Sequence, residues 1–288
     1  MSETSTETLS ARPFDPDGAK VLITGSSSGL GAALAQGLAQ RGAIVGLCAR
    51  SADRLDEVLQ HVRESSPESR AWTVDLADLD NLERFASEVT AEMGGLDLLV
   101  NNAGMPKRRW AWQHRPDEIT DVLRLNVESP IRLTNALLGT LAASRGHVVM
   151  IGSVAARLAP PSEAVYAASK AALSAYAESL RVDLGVAGTP VGVHVVQPGV
   201  LNTALFELPD NDPPLSDIEP LEPDAIMDAV LDALSTGAAE TYVPDWFRGI
   251  LPVKADNLDG FLSGASEYAI ERIDTLGLAR PTSPEVTT

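Results

Sequence analysis

The chain has 288 residues, 44% of them hydrophobic, with 22 Lys and Arg against 40 Asp and Glu and a formal net charge of -18. That is long enough for one soluble α/β domain with a large core. The acidity speaks against nucleic-acid partners, whose phosphates need Lys and Arg, and against anionic membrane surfaces. No apolar run is long enough to span a bilayer, and Met1 to Thr8 lacks the basic-then-apolar order of a secretory signal. A single cysteine, Cys48, excludes an internal disulfide and fits a reducing, cytoplasmic setting. No metal site is expected.

Residues 1–17 are polar and acidic and read as a disordered tail. A domain over 18–279 follows, and 280–288 read as a second tail. Ala19 to Thr24 is a short apolar strand that runs into Gly25, Ser27, Ser28, Gly29, Leu30 and Gly31, followed by an Ala- and Leu-rich helix from Ala32 to Arg41. Strand, glycine turn and helix in that order suit a pyrophosphate: the glycines allow a tight turn and close backbone approach, and the helix start offers free N–H groups. Ala43 to Ala49 is the second strand, with Cys48 in it as a core residue. A cofactor with a free ribose 2′-hydroxyl usually meets an acidic residue near this strand's end. Arg50 stands there instead, which suits a 2′-phosphate, or else a solvated helix start. NADP is therefore expected over NAD, with NAD(H) still possible.

A helix over 52–64 presents Leu55, Val58, Leu59 and Val62 on one face. The third strand, Arg70 to Val74, leads to Asp75 and Leu76; Asp75 could accept from an adenine amino group or cap the next turn. After a helix over 79–93 and a strand over 96–100 come Asn101, Asn102, Ala103 and Gly104, able to tie strand ends together and flank a flat ligand. Residues 105–118 form an irregular insert carrying Lys107, Arg108, Arg109, Trp110, Trp112, His114 and Arg115. It could line the mouth of a site; an ordinary amphipathic surface is the preferred reading. A long helix over 117–144 is expected to kink at Pro130, and Asn126 interrupts its apolar face, for a polar interface, a bend or catalytic support.

His147 to Gly152 is a buried strand, and Ser153 stands at its carboxyl end, where open α/β sheets place ligands. Pro160, Pro161 and Ser162 predict a helix start, and Gly185 a stop. On that helix Tyr166 and Lys170, four apart, share a face. Bringing a phenol from a pKa near 10 to about 7 takes roughly 4 kcal/mol, and an ammonium about 4 Å away at an effective dielectric near 20 supplies about that. Tyr166 is thus a candidate general acid/base tuned by Lys170, with Ser153 bonding the substrate oxygen. A strand over 191–196, the turn at Pro198, Gly199 and Val200, and Thr203 as a possible carboxamide partner come next. Residues 201–222 resemble a substrate loop; a helix over 225–234 and a strand over 240–244 precede a weakly helical stretch read as a flap or oligomer contact. Val154, Leu158, Val200, Leu201, Leu205 and Phe206 favour a hydrophobic ketone.

Collected, these residues resemble the short-chain dehydrogenase/reductase family over about 19–243. Thr24-Gly25, Gly29 and Gly31 match its cofactor loop, Asn101 to Gly104 its fourth-strand motif, and Ser153, Tyr166 and Lys170 its catalytic positions with the thirteen-residue step from Ser to Tyr. Asn126 matches the tetrad's fourth member; Pro198, Gly199 and Thr203 match the nicotinamide-side loop. The resemblance implies a Rossmann-like, doubly wound parallel sheet in three α/β/α layers, and NADP(H)-dependent interconversion of a carbonyl and an alcohol on a small molecule. It also implies cofactor contacts from Gly25 through Thr203, a water held by Asn126, and a homodimer or homotetramer formed through the helices of Asn126 and Tyr166. A dinucleotide sensor without turnover would usually lose Tyr166 or Lys170. A nucleotide-sugar epimerase or dehydratase would usually show another glycine spacing.

Overall fold

In the computed structural model the described residues are 10–202 and 210–282. The apolar runs form β1 (Lys20–Thr24), β2 (Ile44–Ala49), β3 (Arg70–Thr73), β4 (Leu98–Asn101), β5 (His147–Ile151), β6 (Gly192–Pro198) and β7 (Glu240–Val243). They pair into one sheet of order β3-β2-β1-β4-β5-β6-β7, parallel throughout. Parallel strands need crossovers, and helices supply them: α1 (Gly29–Ala39), α2 (Ala52–Ser65), α3 (Leu82–Met93), α4 (Pro116–Leu123), α5 (Ser129–Ser144), α6 (Ala164–Ala187) and α7 (Pro223–Thr236). The chain ends in α8 (Ile250–Asp256) and α9 (Leu258–Thr275).

Both sheet faces are covered, which is why the strands read as continuous apolar runs rather than alternating ones. One core joins Ile23, Leu34, Leu38, Val45, Leu55 and Val230 between the sheet and α1, α2 and α7. The other joins Leu22, Phe85, Leu99, Leu137, Met150 and Leu173 between the sheet and α3, α5 and α6. Cys48 belongs to the second; burial pushes its thiol up to about 12, against a Gly25 backbone contact that lowers it. The strand order reverses between β1 and β4, so a crevice opens at their carboxyl ends. The result is a Rossmann-like, doubly wound, three-layer α/β/α domain.

Several local expectations change. The long helix is not kinked at Pro130. Pro130 sits in the first turn of α5, where its missing N–H costs nothing. The break is a π-helical segment, Arg124–Glu128, centred on Asn126. Gly185 does not stop α6, which runs to Ala187; Gly188, at φ 64, takes the left-handed position. Ser162 does not cap α6 either: Glu163 precedes the first turn, and Ser162 itself sits at φ 59.

Of the expected leading tail, residues 10–17 make contacts. Arg12 pairs with Asp97 at 2.7 Å and its N–H donates to Arg145 O, while Phe14 meets the His147 ring edge-on. His147 and His194 face each other on neighbouring strands, Nδ1 to Nε2 at 3.0 Å. The outer nitrogens reach carbonyls, His147 Nε2 to Arg12 O at 2.8 Å and His194 Nδ1 to Ala238 O at 2.7 Å. Burial holds both rings below the ordinary imidazole value, His194 at about 4. Near the other terminus Arg280 pairs with Asp274, and Thr282 O accepts from the Trp112 indole.

Candidate active site

Because the strands are parallel, the residues that follow them gather along one edge of the sheet. After β1 the chain turns at Gly25, φ 67, pressed against β4: a side-chain carbon there would lie 2.8 Å from Ala103 Cα. At Gly31 one would lie 2.4 Å from Gly25 O and 2.6 Å from Asn102 Nδ2, so only glycine lets α1 start this close. Leu30 is buried beneath the loop, Ser27 is half-buried, and Ser28 and Gly29 are exposed above the start of α1. The first N–H groups of a helix have no partners within it, and those of α1 are free to meet an anion. Asn102 locks the edge by donating Nδ2 to Thr24 O at 2.9 Å and to Gly25 O at 3.2 Å, while Thr24 Oγ1 accepts from the N–H groups of Asn102 and Ala103. A cradle that leaves glycine backbone open and polar groups pre-bonded fits a dinucleotide.

Arg50 is exposed at the end of β2, and Leu76 is buried beyond β3. Asp75 is exposed; its carboxylate accepts from Ala77 N–H at 3.0 Å, the turn-capping use. Pro198 ends β6, Gly199 N–H donates to Val243 O at 2.8 Å, and Val200 is half-buried. At Gly199 a side chain would lie 2.9 Å from the Phe247 ring. Thr203, Leu205 and Phe206 lie outside the described residues; Val154, Leu158 and Leu201 are half-buried.

Ser153, Tyr166 and Lys170 come together, all buried. The Lys170 ammonium stands 5.8 Å from the Tyr166 ring centroid while donating to Ile151 O at 2.8 Å, and Ser153 Oγ accepts from Ala155 N–H at 3.1 Å. Burial, then the Glu163 carboxylate, raise Tyr166 above the ordinary phenol range, and the Ser153 hydroxyl only partly offsets them. Burial lowers Lys170 to about 8. Burial thus disfavours both the phenolate and the ammonium in the ligand-free protein.

Asn126 is fully engaged. Its Oδ1 accepts from Met105 N–H at 2.8 Å, and its Nδ2 donates to Met105 O and Ser169 Oγ, both at 3.0 Å. Ser169 in turn donates to Tyr166 O at 2.7 Å. Gly104 leaves the room: a side chain there would sit 3.3 Å from Asn126 Oδ1 and 3.4 Å from Lys170 Nζ. Sequence reasoning missed Gln197. Fully buried, it accepts Ser153 N–H at 2.6 Å through Oε1 and donates Nε2 to Ser174 Oγ at 2.9 Å and Glu240 Oε1 at 2.8 Å. Glu240 is held by Arg157 at 3.1 Å. The available signal was a glutamine closing the apolar run of β6.

The basic insert has two sides: Ala111, Trp112, Gln113 and Arg115 are exposed. Lys107 and Arg108 are buried, and both hold residues 210–212. Glu118 Oε1 takes Lys107 at 3.0 Å, Arg109 at 3.1 Å and Arg115 at 3.0 Å; Lys107 and Arg109 also pair with Asp210. Burial would raise the Glu118 carboxyl, but the Arg115 N–H and these cations outweigh it and hold it at about 2. The stretch after Asp245 packs within the same chain: Tyr268 and Arg272 of α9 donate to Leu215 O at 3.3 and 3.1 Å.

A family model described as short chain dehydrogenase matches residues 19–212. The 11-beta-hydroxysteroid dehydrogenase-like 4A of Arabidopsis thaliana is 36% identical over 189 residues, 64% of this chain and 62% of that protein. Dehydrogenase/reductase SDR family member 7B of Bos taurus is 36% identical over 194 residues, 65% and 59% of the two chains. The matched part thus spans less than two thirds of either relative. Among solved structures, a short-chain dehydrogenase from Streptomyces avermitilis superposes with TM-score 0.73 at 26% identity, over 87% of this chain and 98% of its own. One from Burkholderia cenocepacia, in complex with NADP, gives TM-score 0.69 at 28% identity over 80% and 97%.

Proposed function

The chain belongs to the short-chain dehydrogenase/reductase family, and from that premise we propose that it is an NADP-dependent oxidoreductase interconverting a ketone or aldehyde with an alcohol, Tyr166 serving as general acid and base. The observation that carries this reading is the joint burial of Ser153, Tyr166 and Lys170, with the Lys170 ammonium 5.8 Å from the Tyr166 ring, at the same sheet edge as the glycine cradle. When bound, NADP(H) would exchange a hydride with the substrate carbon. The protein's own part is to hold the substrate oxygen and move a proton. Ser153 Oγ would position the oxygen. Tyr166, kept neutral by burial, would donate its proton as the carbonyl is reduced and take one from the alcohol in reverse.

For the cofactor, Gly25, Ser27, Ser28, Gly29, Leu30 and Gly31 would hold the pyrophosphate, Arg50 the 2′-phosphate, and Asp75 and Leu76 the adenine. Asn102, Ala103, Gly104, Tyr166 and Lys170 would hold the nicotinamide ribose region, with Pro198, Gly199, Val200 and Thr203 beyond it. The solved relative carrying NADP supports that cofactor over NAD. The Asn126 side chain has committed both its hydrogens, so a water linking Lys170 outward would fall to its main-chain carbonyl. Half-buried Val154, Leu158, Val200 and Leu201 support a hydrophobic carbonyl substrate, and the hydroxysteroid in one relative's name agrees with that. Exposed Leu123 on α4, and Val182 and Val186 one turn apart on α6, support self-association into a dimer or tetramer.

The test is Tyr166→Phe. General acid catalysis is worth about 100- to 10,000-fold, so turnover of a carbonyl panel should fall by that much while NADPH binding, followed by nicotinamide fluorescence, persists through the other cofactor contacts. Retained turnover would refute the assignment. NADPH binding without turnover of any carbonyl by the unmodified protein would favour a sensor.

A further inference from the structure

Away from the catalytic hydroxyls a second cavity opens, of about 140 Å³. Trp110 of the insert, Leu215 of the loop, and Ile273 and Leu278 of the carboxyl-terminal helix and its exit form apolar walls. Two polar groups join them, Ser162 and Asp212. Ser162 is 7% exposed, and its Oγ has no hydrogen-bond partner among the described residues; Asp212 Oδ2 is likewise buried and unpartnered. Buried oxygens without partners are costly and rare. Here two share one small apolar space. Ser162 adopts φ 59, an uncommon conformation for a serine, in a turn fixed by Arg109 N–H donating to Ser162 O at 2.8 Å. Asp212 is fixed by its main chain: its N–H donates to Arg108 O at 2.9 Å, and its carbonyl accepts from Arg108 Nε at 2.8 Å.

We propose that this cavity binds one six-membered ring bearing a hydroxyl group. A dry cavity of about 150 Å³ accommodates benzene, so the volume suits a single ring. The ring would lie against the Trp110 face and the three aliphatic walls. Its hydroxyl would donate to Asp212 Oδ2, which can only accept, and accept from Ser162 Oγ, which can donate. An ammonium fits less well: it offers nothing to the serine proton, and the Arg108 guanidinium already faces Asp212. Ser162 and Tyr166 are four positions apart, which places the two Cα atoms within about 15 Å of each other. The site is made of other residues than the proposed catalytic ones, and it stands whether or not Tyr166 is the acid.

The test uses the full chain carrying Tyr166→Phe, so that chemistry is out of the measurement, and phenol, cyclohexylamine and toluene as probes in ligand-observed NMR titrations. Phenol should bind at least tenfold more tightly than toluene and more tightly than cyclohexylamine. Asp212→Ala should weaken phenol at least tenfold, because a hydrogen bond to a charged group is lost, and Ser162→Gly, which relieves the positive φ, should weaken it several-fold. Ala279→Trp, at an exposed position on the cavity rim, should block phenol without touching either polar group. Toluene binding as well as phenol, cyclohexylamine binding more tightly, no phenol binding, or phenol affinity unchanged by Asp212→Ala or Ala279→Trp in folded protein would each overturn the proposal. Phenol binding in a protein that turns over no carbonyl would leave this site standing and remove the oxidoreductase reading instead.

Discussion

Replacing Lys170 by Met tests the electrostatics of the candidate site without any substrate. Lys170 is 4% exposed, and burial lowers it from 10.5 to about 8. A lysine whose pKa is lower in the fold than in the unfolded chain makes the unfolded chain bind more protons between those values, so stability rises with pH across that window. Below about pH 8 the full cost of a buried ammonium is present; above about 10.5 it is gone. At 1.36 kcal/mol per unit, the share of this residue between pH 7 and pH 10 comes to about 2 to 3 kcal/mol. Urea unfolding of the ligand-free wild type and of Lys170→Met at those two pH values isolates it, because other titrating groups cancel in the double difference. Wild type should gain about 2 to 3 kcal/mol relative to the variant on going from pH 7 to pH 10. The Ile151 carbonyl left without its donor shifts both measurements of the variant equally. Parallel curves for the two proteins would refute the placement of Lys170 as an uncompensated buried cation. If a bound cofactor prefers the charged form, NADPH binding near pH 8 to 9 should take up protons, which calorimetry in buffers of different ionisation enthalpy detects.

Arg50→Asp should lower the ratio of NADPH to NADH affinity by at least tenfold, and an unmoved ratio would make Arg50 a surface residue only. Gln197→Met should leave Ser153 N–H without its buried acceptor and destabilise the fold by about 1–3 kcal/mol, while kcat falls more than KM changes; unchanged stability would show that the network of Gln197 with Ser174 and Glu240 does not hold Ser153. Glu118→Gln should speed amide hydrogen exchange over 210–215 at neutral pH. The wild-type loop should loosen only as pH falls from about 4.5 towards 2, because a depressed carboxyl stabilises above its ordinary value and ceases to when protonated. Equal exchange in the two proteins would mean that the ion pairs do not hold the loop.

What could be read from the sequence was local. A strand buried on both faces announces itself as an apolar run, and Gly25, Gly29 and Gly31 between strand and helix announce a turn that no side chain could make. Tyr166 and Lys170 share a helix face by spacing, while Ser153 was joined to them by its strand-end position and the resemblance to the family's catalytic positions. The remainder depended on partners distant in the chain. Glu118 meets Asp210 through Lys107, Arg109 and Arg115, and Gln197 meets Ser153 because β5 and β6 are neighbours. The π-helical segment at Asn126 arises where that side chain turns inward to Met105 and Ser169, a backbone choice that residue type does not encode. Gly185 and Gly188 are equally good stops by composition; only the backbone at Gly188 separates them.

The facing histidines at the other end of the sheet make a small problem in counting. Three contacts, from Arg12 O to His147, from His147 to His194 and from His194 to Ala238 O, each require one hydrogen. Two uncharged imidazoles carry two between them, and burial keeps both uncharged at neutral pH. One contact in the row must therefore go without, and the row has three ways of choosing which. A third proton fills all three at once, at the cost of a charge in the interior. The leading segment is thus tied to the sheet through a wire one proton short, and its docking belongs to the protein's acid–base bookkeeping as much as to its packing.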